Sequence, residues 1–195
     1  MSRHIDIADG DIITKGGLRF RINITRDDSA ALPWIDCEGH GVVSDWTSRD
    51  KRPGERILCT SYGGASHRFY DVATSMKIAR RDKWSSGEWL PNPATVGMER
   101  ARTVEKDFEY LRAWCNDEWH YVGISVTLLS NSDNAITNYN YVLRGIESNS
   151  DDYLQQVTHD FMDEMIKQHT KETHEADYWA ERDVITSDKF TRERK

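Results

Sequence analysis

The amino-acid sequence predicts an α+β fold, with a mainly antiparallel sheet packed on one face by about three helices. Three observations lead there. Leu18-Arg19-Phe20-Arg21-Ile22-Asn23-Ile24-Thr25 alternates apolar and polar residues without a break, the period of a strand buried on one side. Two later segments repeat apolar residues every three or four positions, the period of a helix with one buried stripe. The order of elements is strands, helix, helix, two strands, helix, without the regular βαβ alternation that builds a parallel sheet.

The elements follow in turn. Gly16-Gly17 reads as a turn, so Asp11 to Thr14 is the expected hairpin partner of the strand at Leu18. Gly39-His40-Gly41 is a second turn, with a strand expected from Val42 to Trp46. Arg52-Pro53-Gly54 turns the chain into a strand from Glu55 to Ser61, and Tyr62-Gly63-Gly64-Ala65 returns it along His67 to Tyr70. Asp71 offers a side-chain acceptor to the free amides of a helix from Val72 to about Trp84, with Val72, Met76 and Ala79 inward and Ser85-Ser86-Gly87 as its end. Asn92-Pro93 pairs a cap with proline at the first helical position. From there Ala94, Met98, Ala101, Val104, Phe108, Leu111 and Cys115 form the stripe of a second helix reaching about Glu118. Strands are expected over Val122 to Leu129 and Asn138 to Ile146, joined by the polar loop Ser130 to Asn134. Ser150 is placed to cap a third helix whose stripe is Leu154, Val157, Phe161 and Met165.

A chain of 195 residues suffices for one domain with a real core. Residues 1–166 are taken as that domain, and 167–195, where charge rises and periodicity fades, as a charged helical extension and tail. There is no apolar run of 18 residues, so no membrane span is expected, and the first ten residues lack the pattern of a secretory signal. Three widely spaced cysteines, Cys37, Cys59 and Cys115, point to free thiols in a reducing compartment. The net charge of −7 hides an asymmetry: residues 49–83 hold nine Lys/Arg against four Asp/Glu, whereas 103–181 hold five against sixteen.

Several constellations invite a chemical reading. Asp36, Cys37 and His40 sit in one turn, and the Cys-x-x-His spacing would supply half of a zinc site, but no second pair stands nearby in sequence. A cysteine nucleophile needs a base within reach. Cys37 with His40, or Cys115 with His120, are the candidate pairs, so Asp36, Cys37, His40 and His120 are the catalytic candidates. No Gly-x-Ser-x-Gly elbow or phosphate loop occurs, and no cofactor or metal is expected. Arg80, Arg81, Lys83 and Trp84 could meet a nucleic acid, but cations at a helix end also answer the macrodipole, and direct nucleic-acid binding is not expected at a pI of 5.5. Trp114-Cys115-Asn116-Asp117-Glu118-Trp119-His120 concentrates two indoles, a thiol, an imidazole and two carboxylates where a helix hands over to a strand. Either a site or a packed corner fits it.

Gly17 to Arg21, Gly39 to Trp46, Arg68 to Asp71, the helix end from Asp107 to Trp119, and Gly145 to Ser148 resemble an uncharacterised family of small proteins encoded by bacteriophages and prophages. The resemblance spans roughly residues 10–165. It brings no catalytic residues with it. What it implies is an accessory protein acting in the host bacterial cytoplasm, by binding and inhibiting a host protein or protein complex such as a CRISPR effector or another defence nuclease. Trp114, Asp117, Glu118, Trp119, Asp160, Asp163 and Glu164 are then the expected partner-binding residues, because an acidic surface can occupy a nucleic-acid channel without chemistry. A small enzyme with a Cys/His/Asp site and a nucleic-acid-binding accessory protein are the alternatives, and a homodimer stays open.

Overall fold

In the computed structural model, residues 7–35, 39–85 and 96–192 are described, with the backbone alone for Val96, Thr137, Asp177 and 179–192. Asp36, Cys37, Ser86, Gly87, Asn92, Pro93, Ala94 and the last three residues therefore lie outside the described residues. The elements are β1 (Ile12–Lys15), β2 (Leu18–Arg26), β3 (Val42–Val43), β4 (Glu55–Thr60), β5 (His67–Asp71), α1 (Val72–Arg81), α2 (Val96–Cys115), β6 (Tyr121–Leu129), β7 (Ala135–Glu147) and α3 (Asp151–Arg192). The fold is α+β and every strand pairing is antiparallel. Among the described residues no helix is long and apolar enough to cross a membrane.

The chain divides into two compact units, Met1–Asp27 with Tyr121–Lys195, and Asp28–His120. No linker composition marks the division, because the second unit departs and returns at neighbouring strands: Arg26 pairs with Val122, and the Asp27 amide donates to the Tyr121 carbonyl at 2.8 Å.

The first unit is a four-stranded sheet, β1-β2-β6-β7, with α3 on it. Gly16 and Gly17 both have positive φ, the backbone a two-residue hairpin turn requires, and Lys15 pairs directly with Leu18. That register turns Phe20 and Ile22 fully inward, with Leu18 and Ile24 packed beside them. Ile124, Val126 and Leu128 of β6 complete the layer, and Leu154, Val157, Met162 and Met165 of α3 close it. Phe161 is only partly buried and lies edge-on to Tyr141, so the helix stripe runs through Met162.

Two details of α3 differ from expectation. The Ser150 hydroxyl donates back to the Glu147 carbonyl at 2.6 Å, so the helix start is received by the Ser150 carbonyl, which accepts from Tyr153 and Leu154. The helix also passes Ile166 without a break. Tyr141 Oη donates to Gln168 Oε1 at 3.0 Å and Tyr139 Oη to Glu172 Oε2 at 2.5 Å, so the start of the charged stretch is tied to β7.

The second unit holds a three-stranded sheet, β3-β5-β4, with α1 and α2. Asp71 caps α1 as expected, its Oδ1 accepting from the Thr74 amide at 2.8 Å. The helix ends at Arg81, short of Trp84, where Lys83 takes a positive φ. Strand β3 stops at Val43 rather than Trp46. Beyond it the Ser44 side chain bonds the Phe69 amide and Thr47 bridges His67, which splays the segment away from a regular ladder. On α2, Val104, Phe108 and Leu111 are buried with Leu58, Tyr70 and Ala79, but Met98 and Ala101 are exposed, so the stripe begins a turn later than the periodicity suggests. The helix stops at Cys115, before Glu118. Glu118 N bonds Ala113 O at 2.9 Å and Asp117 N bonds Trp114 O at 3.0 Å, with Asp117 at φ 61°. This pair of bonds around a left-handed residue is a Schellman stop.

Candidate functional site

A pocket of about 300 Å³ opens on the second unit. Its indole rings and its arginine come from four places in the chain. Trp34 comes from the loop before β3, Trp46 from the splayed segment after β3, Arg68 from β5, and Trp114 from the last turn of α2. Trp114 and Trp34 meet edge to face, 5.3 Å between ring centres. The Arg68 guanidinium sits 5.1 Å from the Trp34 ring and 5.0 Å from the Trp46 ring, a cation held by aromatic faces. Trp46 is 47% exposed and Tyr62, on the rim, is fully exposed. Among the described residues, those lining this pocket include no carboxylate.

Two thiols complete the wall. Cys59 near the end of β4 and Cys115 at the end of α2 both line the pocket, both half-buried, and each thiol influences the other's ionisation. A β-bulge makes this meeting. Ile57 pairs with Phe69 but Cys59 pairs with Arg68, so the extra residue at Leu58 shifts the strand. Leu58 goes into the core while Cys59 turns to α2, which is how bulges re-aim side chains near sites. The Cys115 S–H, then the Arg68 guanidinium and the Arg68 backbone amide, favour the Cys59 thiolate and draw it down to about 7 against the opposing effect of burial. Cys115 is pushed up, first by the Cys59 thiolate and then by burial. Sequence spacing gave no sign of this pair: the expected partner of Cys115 was His120.

A second polar cluster lies in the same unit. His40 Nδ1 is 2.6 Å from Asp107 Oδ1, while Asp107 Oδ2 accepts from Tyr70 Oη at 2.6 Å and from the Gly41 amide at 2.8 Å. The His40 ring stacks on Tyr110 at 5.7 Å. Asp107 is buried, and burial together with its carboxylate pushes the Tyr70 phenol well above its usual range. The imidazole is thus oriented by a carboxylate, an arrangement that can serve a base. Cys37, the expected nucleophile beside it, lies outside the described residues. No motif in the sequence marks Asp107 as a site residue. The available signal was its place between Val104, Phe108 and Leu111, on the buried face of α2.

The remaining expected residues separate. Trp119 is 2% exposed, its Nε1 donating to the Tyr110 carbonyl at 3.0 Å and its ring 4.5 Å from that of Tyr110, so it packs the unit's interior rather than presenting a surface anchor. Asp117 and Glu118 are exposed in the helix stop, where the Asn116 side chain donates to Glu118 at 3.0 Å. His120 is half-buried. In the first unit Asp160, Asp163 and Glu164 lie exposed on α3; Asp163 is paired with Lys15 at 2.7 Å, and Glu164 with Lys167 at 3.5 Å. Within the basic 49–83 segment, Arg49 pairs with Glu55, Arg81 with Asp82, and Arg56 with Glu105 and Glu109 while lying 3.6 Å from the Phe108 ring centre. Among the described residues no group of three or more His, Cys, Asp or Glu side chains is placed to hold a metal ion.

Comparison with protein-family models, with curated proteins and with solved structures finds no match to this chain.

Proposed function

We propose that this is a binding protein whose docking site is the aromatic pocket of the second unit. The observation that carries the reading is the Trp34–Arg68–Trp46 arrangement, flanked by Trp114 and by the exposed Tyr62. Trp, Tyr and Arg are the residues that dominate binding energy at protein interfaces. Here they are gathered around one concavity, with Arg68 as its charge. The occupant this chemistry suits is a protein segment that presents an apolar side chain with a carboxylate beside it, the carboxylate lying against Arg68. The resemblance to phage-encoded proteins supports a bacterial host protein, such as a subunit of a defence complex, as the owner of that segment.

The acidic face of α3 supports a second contact, to a basic partner surface, because Asp160 and Glu164 are both exposed there. Asp163 is the poorer member of this set, since it already neutralises Lys15.

The test is capture from nuclease-treated bacterial lysate by the tagged full chain, compared with Trp46→Ala/Tyr62→Ser and with Asp160→Lys/Glu164→Lys. A stoichiometric partner lost with the first variant and retained by the second supports the pocket. Loss only with the charge reversal moves the contact to α3. A partner retained by both variants, or none captured across hosts with different defence systems, overturns the reading.

A further inference from the structure

We propose that Cys59 and Cys115 form a thiol–disulfide exchange site, with Cys59 as the attacking sulfur, Cys115 as the resolving sulfur, and a small disulfide carrying carboxylates as substrate. The inference shares the pocket of the docking reading but requires no protein partner, so its test is independent of that reading.

Four observations meet here. The two thiols come from different elements, yet they line the same pocket and lie within electrostatic reach of each other. Both line a pocket open to solvent, so a reagent can reach them. The β4 bulge pairs Cys59 with Arg68, whose backbone amide favours the Cys59 thiolate alone and whose guanidinium acts on both thiols, the kind of electropositive setting that sustains a thiolate. Finally, the pocket's size suits a small molecule, and among its described lining residues Arg68 carries the charge, set between aromatic walls. An anionic disulfide is therefore drawn in where a cationic one is repelled.

The chemistry balances in two steps. The Cys59 thiolate attacks one sulfur of the substrate disulfide, forming a Cys59 mixed disulfide and expelling one thiolate, which takes up a proton. Cys115 then gives its proton to solvent and attacks the Cys59 sulfur. The protein disulfide forms, and the second small thiolate leaves and is protonated. The protein loses two electrons and the substrate disulfide gains them, yielding two small thiols. The sulfurs must close to the bonded distance of about 2 Å.

The experiment treats the reduced full-length chain with one equivalent of 5,5′-dithiobis(2-nitrobenzoate) or oxidised glutathione, both anionic, or with the cationic disulfide cystamine, followed by peptide mapping under non-reducing conditions. The expected product is a peptide cross-linked between Cys59 and Cys115. In Cys115→Ala the reaction should stop at the Cys59 mixed disulfide, and in Cys59→Ala modification of Cys115 should slow by about tenfold or more. Arg68→Gln should slow the anionic reagents and leave cystamine unchanged or faster. Should either cysteine variant fail to fold, the cross-link in the unaltered chain and its anionic-over-cationic rate ratio still decide. Two separate mixed disulfides, unreacted thiols at both positions, or equal rates with the anionic and cationic reagents would overturn the proposal.

Discussion

Tyr70 Oη donates to Asp107 Oδ2 at 2.6 Å, and the bond lies inside the second unit with Tyr70 fully buried. It joins a β5 side chain to an α2 side chain, and the same carboxylate reaches His40 and the Gly41 amide in the segment before β3. One buried carboxylate thus fastens three parts of the unit. Buried hydrogen bonds to a charged group are worth about 1.5–3 kcal/mol. Tyr70→Phe should cost about that much in urea unfolding, and Asp107→Ala about 3–5 kcal/mol, because it strands the Tyr70 hydroxyl and the Gly41 amide together. A Tyr70→Phe chain as stable as the parent would mean that water replaces the phenol.

The same cluster explains why residue 41 is glycine. A Cβ there would stand 2.2 Å from Tyr70 Oη and 2.4 Å from both Tyr70 Cζ and Ser75 Oγ. Neither neighbour is free to move: the phenol is held by Asp107, and Ser75 Oγ donates to the Asp71 carbonyl at 2.6 Å while accepting from the Val42 amide at 3.0 Å. Gly41→Ala is an overpacking change, expected to cost about 3 kcal/mol at the upper end of the usual range. Guanidinium-chloride unfolding checks it, and a loss below about 0.5 kcal/mol would show that the contact relaxes.

Glu55 supplies a pH prediction. Arg49 grips its carboxylate with two nitrogens, at 2.6 and 2.7 Å, and the Arg52 amide adds a third bond at 2.8 Å. The Arg49 hydrogen bonds hold Glu55 down at about 2, below the ordinary carboxylate range. A depressed folded value means that the group's contribution to stability is complete above its unfolded value and is lost as pH falls toward 2. Urea midpoints measured from about pH 5 down to about pH 2 should therefore fall more steeply for the parent than for Glu55→Gln. Parallel profiles would place the acid sensitivity elsewhere.

What the sequence disclosed and what it concealed follow from the range of the interactions. The alternation of Leu18, Phe20, Ile22 and Ile24, the Gly16-Gly17 turn and the Asp71 cap are local, and each stands in the structure as the spacing implies. The pocket is not local. Trp34, Trp46, Arg68 and Trp114 carry no shared motif, and Cys59 meets Cys115 only because of a bulge. His40 was legible as a residue of interest, but its partner Asp107 was hidden inside an apolar stripe, where a single carboxylate can be mistaken for a solvated one.

Asp117 bears on both the fold and the function. It occupies the left-handed position of the α2 stop, with φ of 61°. Glycine is the usual residue there, and Asp tolerates the conformation better than other side chains with a Cβ. Asp117→Gly should relieve the strain and raise stability by about 0.5 kcal/mol, whereas Asp117→Val, branched at Cβ, should lower it by about 1–2 kcal/mol. The same pair of variants separates stop from contact. Asp117 was expected to meet the partner, and the Gly variant removes its carboxylate while keeping the turn. If that protein gains stability and still captures the partner of the unaltered chain, residue 117 serves to end the helix and orient Trp114 and Cys115 at the pocket. If it gains stability and loses capture, the carboxylate itself is part of the interface.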